Sequence, residues 1–224
     1  MAIFPLTANA LTVQEVPNPR QVNNGWVIDM ANILSDSTES QLNQMISELE
    51  AKNGTEIAVV TVSETSPSPS PKEFTTALFN YWRIGKKEQD NGVLFLISVK
   101  NRRIEIETGY GIEGILPDAK VGNIIATEIT PKFKQGDFNG GTLAGTKTLF
   151  INLAHSQPFF RSSETTQNYD NPWVFFLEFI FIVMLMFGMK LGGGGGSSSG
   201  GGGDSGGGGD FGGGESGGGG AGGD

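Results

Sequence analysis

The sequence predicts an α/β fold for residues 22–153, and three observations support this prediction. Residues 55–63 and 92–98 are apolar runs of strand length that contain β-branched residues, as expected for buried strands. Residues 103–108 alternate between apolar and polar side chains and follow a short turn, which is typical of the second strand of a hairpin. Segments with helical spacing separate or follow these runs. The predicted order is helix, strand, helix, strand, strand, helix, helix, which indicates a sheet with helices on its faces.

The first two predicted helices have clear boundaries. Ser35 is suited to cap a helix over residues 36–53, and Gly54 is suited to end it. The second helix begins at residues 70–73, where Ser-Pro-Lys-Glu combines a capping box with proline at the first helical position. Its apolar positions, among them Phe74 and Leu78, predict a buried face.

The remaining elements follow the hairpin. Within residues 103–108, the alternation predicts that Ile104 and Ile106 face the core while the polar residues between them face solvent (Arg103, Glu105, Glu107). Asp118 is a candidate N-cap for the next helix. A turn at residues 135–137 precedes a last helix over residues 139–154.

Charge and composition exclude several classes of function. The net charge of −9 argues against a nucleic-acid partner, because phosphate binding requires clustered Lys and Arg. The chain has no cysteine, which excludes disulfides, thiolate metal sites and cysteine nucleophiles. Its one histidine, His155, is expected at the surface, and without it no Ser-His-Asp set can be assembled. Hydrolysis would therefore have to use a metal or carboxylates.

The N-terminal residues 1–21 allow two interpretations. The triplet Ala8-Asn9-Ala10 resembles a signal-peptidase site, but the apolar stretch before it is short and a basic region is missing. The segment is either the remnant of a signal peptide or a disordered lead. The first interpretation would place the domain outside the cytoplasm, on the periplasmic or thylakoid-lumenal side.

The C-terminal third of the chain differs from the globular part. After a polar linker over residues 154–172, residues 173–191 are apolar over the length that a bilayer core requires and predict one transmembrane helix. Glu178 within it would either reach the headgroups or meet a partner helix. Residues 192–224 are glycine-rich, with a few acidic residues and one aromatic, Phe211, and are expected to form a disordered coil.

The predicted hairpin gathers acidic residues at one edge of the sheet. Asp90 precedes the first hairpin strand, and a glycine-rich loop over residues 107–111 follows the second, so antiparallel pairing places them together. Glu113 and Asp118 come soon after. Carboxylates without His or Cys suit a hard cation such as Ca²⁺ or Mg²⁺. The alternative is that Asp90 is a turn residue and Asp118 only a helix cap.

Several segments together resemble one family. They are WVIDMANIL (26–34), GTEIAVVTV (54–62), DNGVLFLIS (90–98) and ETGYGIEGILPDAKVG (107–122), and in order and spacing they resemble the TPM domain family over residues 22–153. The resemblance implies a Rossmann-like, three-layer α/β/α sandwich with a mixed sheet. It also implies a divalent-cation site, to which Asp29, Asp90 and Asp118 match. Arg83 stands where the family is expected to have glycine.

The resemblance implies two kinds of function. Family members include thylakoid-lumen proteins of photosystem II assembly and repair with reported acid phosphatase activity, and membrane-anchored bacterial proteins with glycine-rich tails. One hypothesis is an anchored accessory, assembly or repair factor for a membrane protein complex, with Ca²⁺ or Mg²⁺ in a structural role. The other is a metal-dependent acid phosphatase, with the cation held by Asp29, Asp90 and Asp118. The sequence favours the first, because activating groups for catalysis are missing.

Overall fold

The computed structural model describes residues 11–155, 211–216 and 219–224, which contain a mixed five-stranded sheet with the order β1-β2-β3-β4-β5. The first three strands are parallel, and β4 and β5 each run antiparallel to the strand before them in the sheet. The predicted α/β fold is confirmed. The strands are β1 (Val27–Asp29), β2 (Glu56–Val62), β3 (Gly92–Ser98), β4 (Arg103–Thr108) and β5 (Gly220–Gly223).

Helices cover both faces of this sheet. The ring of Phe95 in β3 points toward Gly145 in the last long helix, whereas Lys72 in the second long helix reaches Glu107 from the other face. The helices are α1 (Pro19–Val22), α2 (Asp36–Asn53), α3 (Pro71–Trp82), α4 (Asp118–Ile124), α5 (Thr130–Phe133) and α6 (Phe138–Ala154). Short 3₁₀ turns lie at Val13–Glu15 and Tyr110–Ile112, and a π-helical turn at Ile125–Ile129 joins α4 to α5.

The predicted helix boundaries form as the sequence indicates. Ser35 accepts a hydrogen bond from the Thr38 amide at the start of α2, and Gly54 ends that helix with a left-handed φ of 77°. Ser70 accepts from the Glu73 amide at the start of α3. Every residue of β2 and β3 is buried, so these strands form the centre of the core.

Two local predictions are wrong. Asp118 is the first residue of α4 and not its N-cap, a position that Pro117 occupies. Glu105 and Glu107, which the alternation predicts to face solvent, are only 1% and 0% exposed. The alternation of β4 is real, but both of its faces are covered, so the polar face is not a solvated one.

The prediction of a disordered tail over residues 192–224 is wrong for residues 211–216 and 219–224. Residues of β5 pair with β4 in register, from Ile104 opposite Gly223 to Glu107 opposite Gly220. The physical reason is that β4 would otherwise present an unpaired row of N–H and C=O groups, which is a template for another strand. Composition describes a segment by itself and does not reveal such a template.

Of the two interpretations of residues 1–21, a disordered lead does not describe residues 11–21, which are ordered. Asn18 accepts from the Arg20 amide to cap α1, Val16 is 2% exposed, and the Leu11 amide donates to the Ser66 carbonyl. A short segment can be ordered by docking on a larger core even when its own pattern is weak. The suggested signal-peptide triplet lies in residues 1–10, outside the described part.

The membrane prediction concerns residues outside the described ranges. Within residues 11–155, 211–216 and 219–224, no helix has both the length and the apolarity needed to cross a bilayer. The apolar segment 173–191 and most of the predicted linker, residues 156–172, are not among these residues. The transmembrane helix therefore stays a prediction.

Candidate functional site at the end and edge of the sheet

The tail lies in a groove that crosses the end of the sheet where β2 and β3 begin and then follows the outer edge of β4. We call this the edge groove. It is bounded by Trp26, Trp82, the buried carboxylates of Glu56 and Glu107, and β4 itself. The contacts along it follow the order of the tail sequence.

The first contact is aromatic. Phe211 is 7% exposed and stacks on Trp82 with ring centroids 5.7 Å apart and planes 14° from parallel. On another side it meets Trp26 at 6.0 Å with a tilted geometry. Trp26 is itself held by a hydrogen bond from its indole nitrogen to Ser47, and the guanidinium of Arg20 lies 4.2 Å from its ring centroid. Burial of a phenyl ring among aromatic side chains makes Phe211 the apolar anchor of the tail.

The second contact is a buried carboxylate. Glu56, the first residue of β2, is 1% exposed, and its carboxylate accepts from the amides of Gly85 at 2.7 Å and Gly212 at 3.0 Å. Lys86 reaches the same carboxylate at 2.9 Å and Glu50 at 2.8 Å. Burial lowers the pKa of Lys86, but hydrogen bonds to Glu50 and Glu56 outweigh this and raise it above its ordinary value. One carboxylate thus joins the domain to the tail.

The third contact uses main-chain groups after α3. The amides of Gly213 and Gly214 donate to the Arg83 carbonyl at 2.8 and 3.0 Å, and the Lys87 amide donates to the Gly212 carbonyl at 2.8 Å. Arg83 is in the left-handed region with φ of 54°. Such a conformation explains why glycine is expected at this position, and the same turn presents the Arg83 carbonyl to the tail.

The acidic residues predicted at this end of the sheet lie along the tail. Asp90 accepts from the Glu215 amide at 3.0 Å, and Asp118 accepts from the Gly220 amide at 2.6 Å. Glu113 borders Gly219, where a Cβ in place of the glycine hydrogen would lie 2.9 Å from the Glu113 carboxylate. Asp90, Glu113 and Asp118 therefore line one path, as the hairpin geometry predicts.

The fourth contact explains the burial of Glu107. Lys72 lies 2.6 Å from its carboxylate and also donates to the Gly219 carbonyl at 3.0 Å. The Ser216 hydroxyl donates to the other oxygen of Glu107. A fully buried carboxylate needs hydrogen-bonding or charged partners, and one of the partners of Glu107 comes from the tail.

The last contact is at the far end of β5. The guanidinium of Arg103 lies 2.6 Å from Asp224 and 2.8 Å from Glu105. Hydrogen bonds to Asp224 and Glu105 raise the pKa of Arg103 above its ordinary range. The tail is thus held by an ion pair at its end and by an aromatic ring at its start.

Asp29 does not join the other three acids. It ends β1 and stands level with Thr61 and Ile97, whereas Asp90 precedes the first residue of β3, so the two lie at opposite ends of the sheet. The Asp29 carboxylate accepts from the amides of Ile33 and Leu34 at 3.2 and 2.8 Å and from the Thr61 hydroxyl. Its role in the structure is to hold the loop after β1.

The residues present do not fit the implied cation site as one group. Among the described residues, no three His, Cys, Asp or Glu side chains are grouped closely enough to hold a metal ion. Asp90 and Asp118 each use an oxygen to accept a tail amide, and Asp29 is at the other end of the sheet. A site for Ca²⁺ or Mg²⁺ stays a prediction for this chain.

Sequence reasoning misses the residues that make most of these contacts. The sequence patterns assign Trp26, Trp82 and Glu56 only to ordinary strands and helices. Two signals point to them: an acidic residue begins an otherwise apolar strand, and a single aromatic residue, Phe211, interrupts the glycine-rich end of the chain. Both signals make sense only when the tail and the domain are considered together.

Comparisons with known proteins agree with the fold. The family model of the TPM domain matches residues 27–150, more than half of the chain. This chain belongs to the TPM domain family. The TPM match ends before the tail, so the edge-groove contacts of residues 211–224 lie outside what the family model covers.

Solved structures include similar domains. The solution NMR structure of the N-terminal domain of a protein from P. gingivalis is 30% identical, with a TM-score of 0.59, covering 64% of this chain and 92% of that one. An NMR structure of a protein from the psychrophilic bacterium Bizionia argentinensis is 23% identical (TM-score 0.48; 57% and 86% covered). The N-terminal domain of a Corynebacterium glutamicum protein is 18% identical (TM-score 0.47; 66% and 89% covered). A search of curated proteins found no match.

Proposed function

We propose that this TPM-domain protein is a non-enzymatic accessory module that binds an extended segment of a partner protein by strand addition at β4. The observation that carries the proposal is the pairing of β5 with the outer edge of β4, from Ile104–Gly223 to Glu107–Gly220. An edge that accepts one strand offers the same main-chain donors and acceptors to another.

Recognition by strand addition uses main-chain pairing together with a side-chain pocket, and the edge groove provides both. Main-chain pairing along β4 supplies affinity for any extended segment, and an apolar pocket at the other end of the groove, next to the start of β1, supplies selectivity. Trp26 and Trp82 form that pocket, and they bury an aromatic side chain from the added segment. Exposed sheet edges are normally protected, so a pairing edge that shares one groove with an aromatic anchor pocket favours a binding role.

The phosphatase alternative has less support. Its cation would need Asp29, Asp90 and Asp118 together, and Asp29 lies at the other end of the sheet from Asp90. His155 is exposed, and its Nδ1 lies 2.9 Å from the Ile151 carbonyl. The arrangement of these side chains favours a binding module over a hydrolase.

The proposal includes association with a membrane through residues 173–191, with the domain outside the cytoplasm and its partner in a membrane protein complex. One physical constraint applies. The domain precedes this segment and the docked tail follows it, so a single crossing would put them on opposite faces of the bilayer. The contacts between Phe211 and Trp82 therefore favour an arrangement in which the domain and the tail share one face.

Site-specific photo-cross-linking in native membranes tests the binding role. The cross-linker is placed at position 103, the first residue of β4, in the full chain carrying Phe211→Ala to release the tail. The same group at Gln44, exposed on α2, is the control. We expect position 103 to cross-link a discrete segment of one membrane protein, identified by mass spectrometry of the adduct. Equal labelling from position 44, or adducts only within the chain itself, would refute strand addition.

A further inference from the structure

We propose that the ligands of the edge groove are extended glycine-rich peptides with one aromatic anchor, and that this chain's own tail is the resident ligand. On this view the tail must leave before a partner segment binds. The inference rests on the proposed function, and it adds the chemical class of the ligand and a mechanism of self-occupation. Four features of the groove support it.

The anchor position selects an aromatic ring. Phe211 lies almost parallel to Trp82 and tilted against Trp26, and is 7% exposed. A planar ring fills the space beside two indoles with favourable stacking geometry, which an aliphatic side chain cannot reproduce. A cleft of about 450 Å³ adjoins the ring, and its other walls are the N-terminal segment and the end of α3.

Positions along the main chain select glycine. A Cβ on Gly214 would lie 2.4 Å from the Ile84 carbonyl oxygen, and one on Gly220 would lie 2.0 Å from the Ile106 carbonyl oxygen. Both obstacles are backbone atoms that cannot rotate away. Gly220 also has φ of 109°, a conformation that other residues rarely adopt.

Side chains of the groove bind the ligand's amides. Glu56, Asp90 and Asp118 accept from the amides of Gly212, Glu215 and Gly220, respectively. Because amides are common to every peptide, these carboxylates stabilise an extended backbone and do not select its side chains. Selection is therefore left to the aromatic pocket and to the requirement for glycine.

The groove retains partners for its buried charges when the tail leaves. Glu56 keeps the Gly85 amide and Lys86, and Glu107 keeps Lys72 at 2.6 Å. Departure of the tail thus leaves neither of these buried carboxylates unpaired, which makes exchange of ligands feasible. A tethered ligand has a high effective concentration, so it outcompetes the same peptide supplied from outside.

Fluorescence polarisation with a labelled synthetic peptide of residues 211–224 tests the inference on the full chain. The protein carries either its natural tail or a released tail with Phe211→Ala and Gly220→Val, changes that leave the groove walls untouched. We expect the released-tail protein to bind the peptide at least about tenfold more tightly than the natural one, because the tethered competitor is gone.

Matched controls establish which features are selected. Peptides carrying Phe211→Ala or Gly220→Val should each bind the released-tail protein roughly tenfold or more weakly, a difference of about 1.4 kcal/mol. Trp82→Ala in that protein should weaken binding of the unchanged peptide, with circular dichroism confirming that the variant is folded. Peptide binding by a folded Trp82→Leu variant provides the same test should the alanine variant fail to fold.

The outcomes separate the two proposals. If a folded released-tail protein does not bind the peptide, or binds all the peptides equally, the ligand class is wrong. If cross-linking from position 103 still captures a partner segment in that case, the proposed function stands without the inference. If the peptide binds as expected but position 103 captures no partner, the groove serves the tail alone and the accessory function is refuted.

Discussion

The ring of Phe211 stacks on the indole of Trp82 at a centroid distance of 5.7 Å, although the two residues belong to distant parts of the sequence. This contact fixes where the tail enters the edge groove. From there, the tail meets Glu56, then Asp90, then β4, in the order of its own sequence. The tail is held by its own anchor at one end and its own paired strand at the other. It can therefore undock while the domain stays folded, and its docking has a free energy of its own.

Removal of the anchor should release the tail while the domain stays folded. For Phe211→Ala we expect faster hydrogen exchange of the β4 amides, because burial of a phenyl side chain contributes about 1.5–3 kcal/mol. Mass spectrometry of a peptide covering residues 103–108 measures this. Ile151→Ala, at a side chain that is 49% exposed on α6, is the control and should change nothing there. Unaltered protection in Phe211→Ala would mean that the anchor does not hold the strand.

A single methyl group should disturb the strand at Gly220. Gly220→Ala places a Cβ near the Ile106 carbonyl at a φ that L-residues avoid, so we expect weaker tail docking, by about 1 kcal/mol or more. Limited proteolysis should then cut the tail faster than in the natural chain. Gly114→Ala serves as the matched control, since a Cβ there meets nothing within 4 Å. Equal cleavage rates for both variants would contradict the steric argument.

Replacement of Asp29 should lower the stability of the domain, whereas replacement of Asp118 should weaken the docking of the tail. Asp29→Ala removes the acceptor of two loop amides and of Thr61, so urea unfolding should show a loss of about 1–3 kcal/mol while tail docking persists. Asp118→Ala removes an exposed acceptor of the Gly220 amide, so docking should weaken with little change in global stability. Phosphatase activity that disappears in both Asp90→Asn and Asp118→Asn would instead support the hydrolase alternative.

Deprotonation of Lys86 at alkaline pH should lower the stability of the folded protein. Its pKa is raised in the folded protein by hydrogen bonds to Glu50 and Glu56 in spite of burial, so the folded state holds the proton more tightly than the unfolded state. The resulting stabilisation is fully present below the ordinary value of 10.5 and is lost as pH rises through the raised value. The difference in unfolding free energy between the natural chain and Lys86→Met should therefore shrink only at strongly alkaline pH.

An arginine variant is the control for this titration. Lys86→Arg keeps its charge throughout the accessible pH range, so its difference from Lys86→Met should stay constant where that of the natural chain declines. The measurement is urea unfolding at several alkaline pH values. If the unfolding free energies of the natural chain and of Lys86→Arg declined equally relative to Lys86→Met, the loss of stability would have to come from other titrating groups.

Membrane topology can be tested because the chain has no cysteine of its own. Ser63→Cys, at an exposed position of the domain, and Ser198→Cys, in the glycine-rich tail, are labelled in intact cells with a membrane-impermeant maleimide. We expect both positions to react from the same side, since the docked tail and the domain must share one face. Labelling of only one position would favour a single crossing by residues 173–191 and exclude docking in that state.

Local signals in the sequence predict much of the domain correctly. The hairpin strands, Gly92–Ser98 and Arg103–Thr108, and the helix Asp36–Asn53 form with the predicted bounds. These elements are governed by short-range rules of capping, alternation and turn formation, which act between residues close in sequence. The hairpin rule also places Asp90 and Asp118 at one end of the sheet. It carries no information on Asp29, whose position depends on where β1 joins the sheet.

Short-range patterns along the chain are enough to predict the α/β fold, the boundaries of its main helices and strands, and the acidic character of one end of the sheet. The binding of residues 211–216 and 219–224 at that end, with Phe211 beside Trp82 and β5 against β4, emerges only from the folded chain. The physical reason is that glycine-rich segments carry almost no pattern of their own. Their order comes from an open strand edge and an apolar pocket that are assembled from distant parts of the chain.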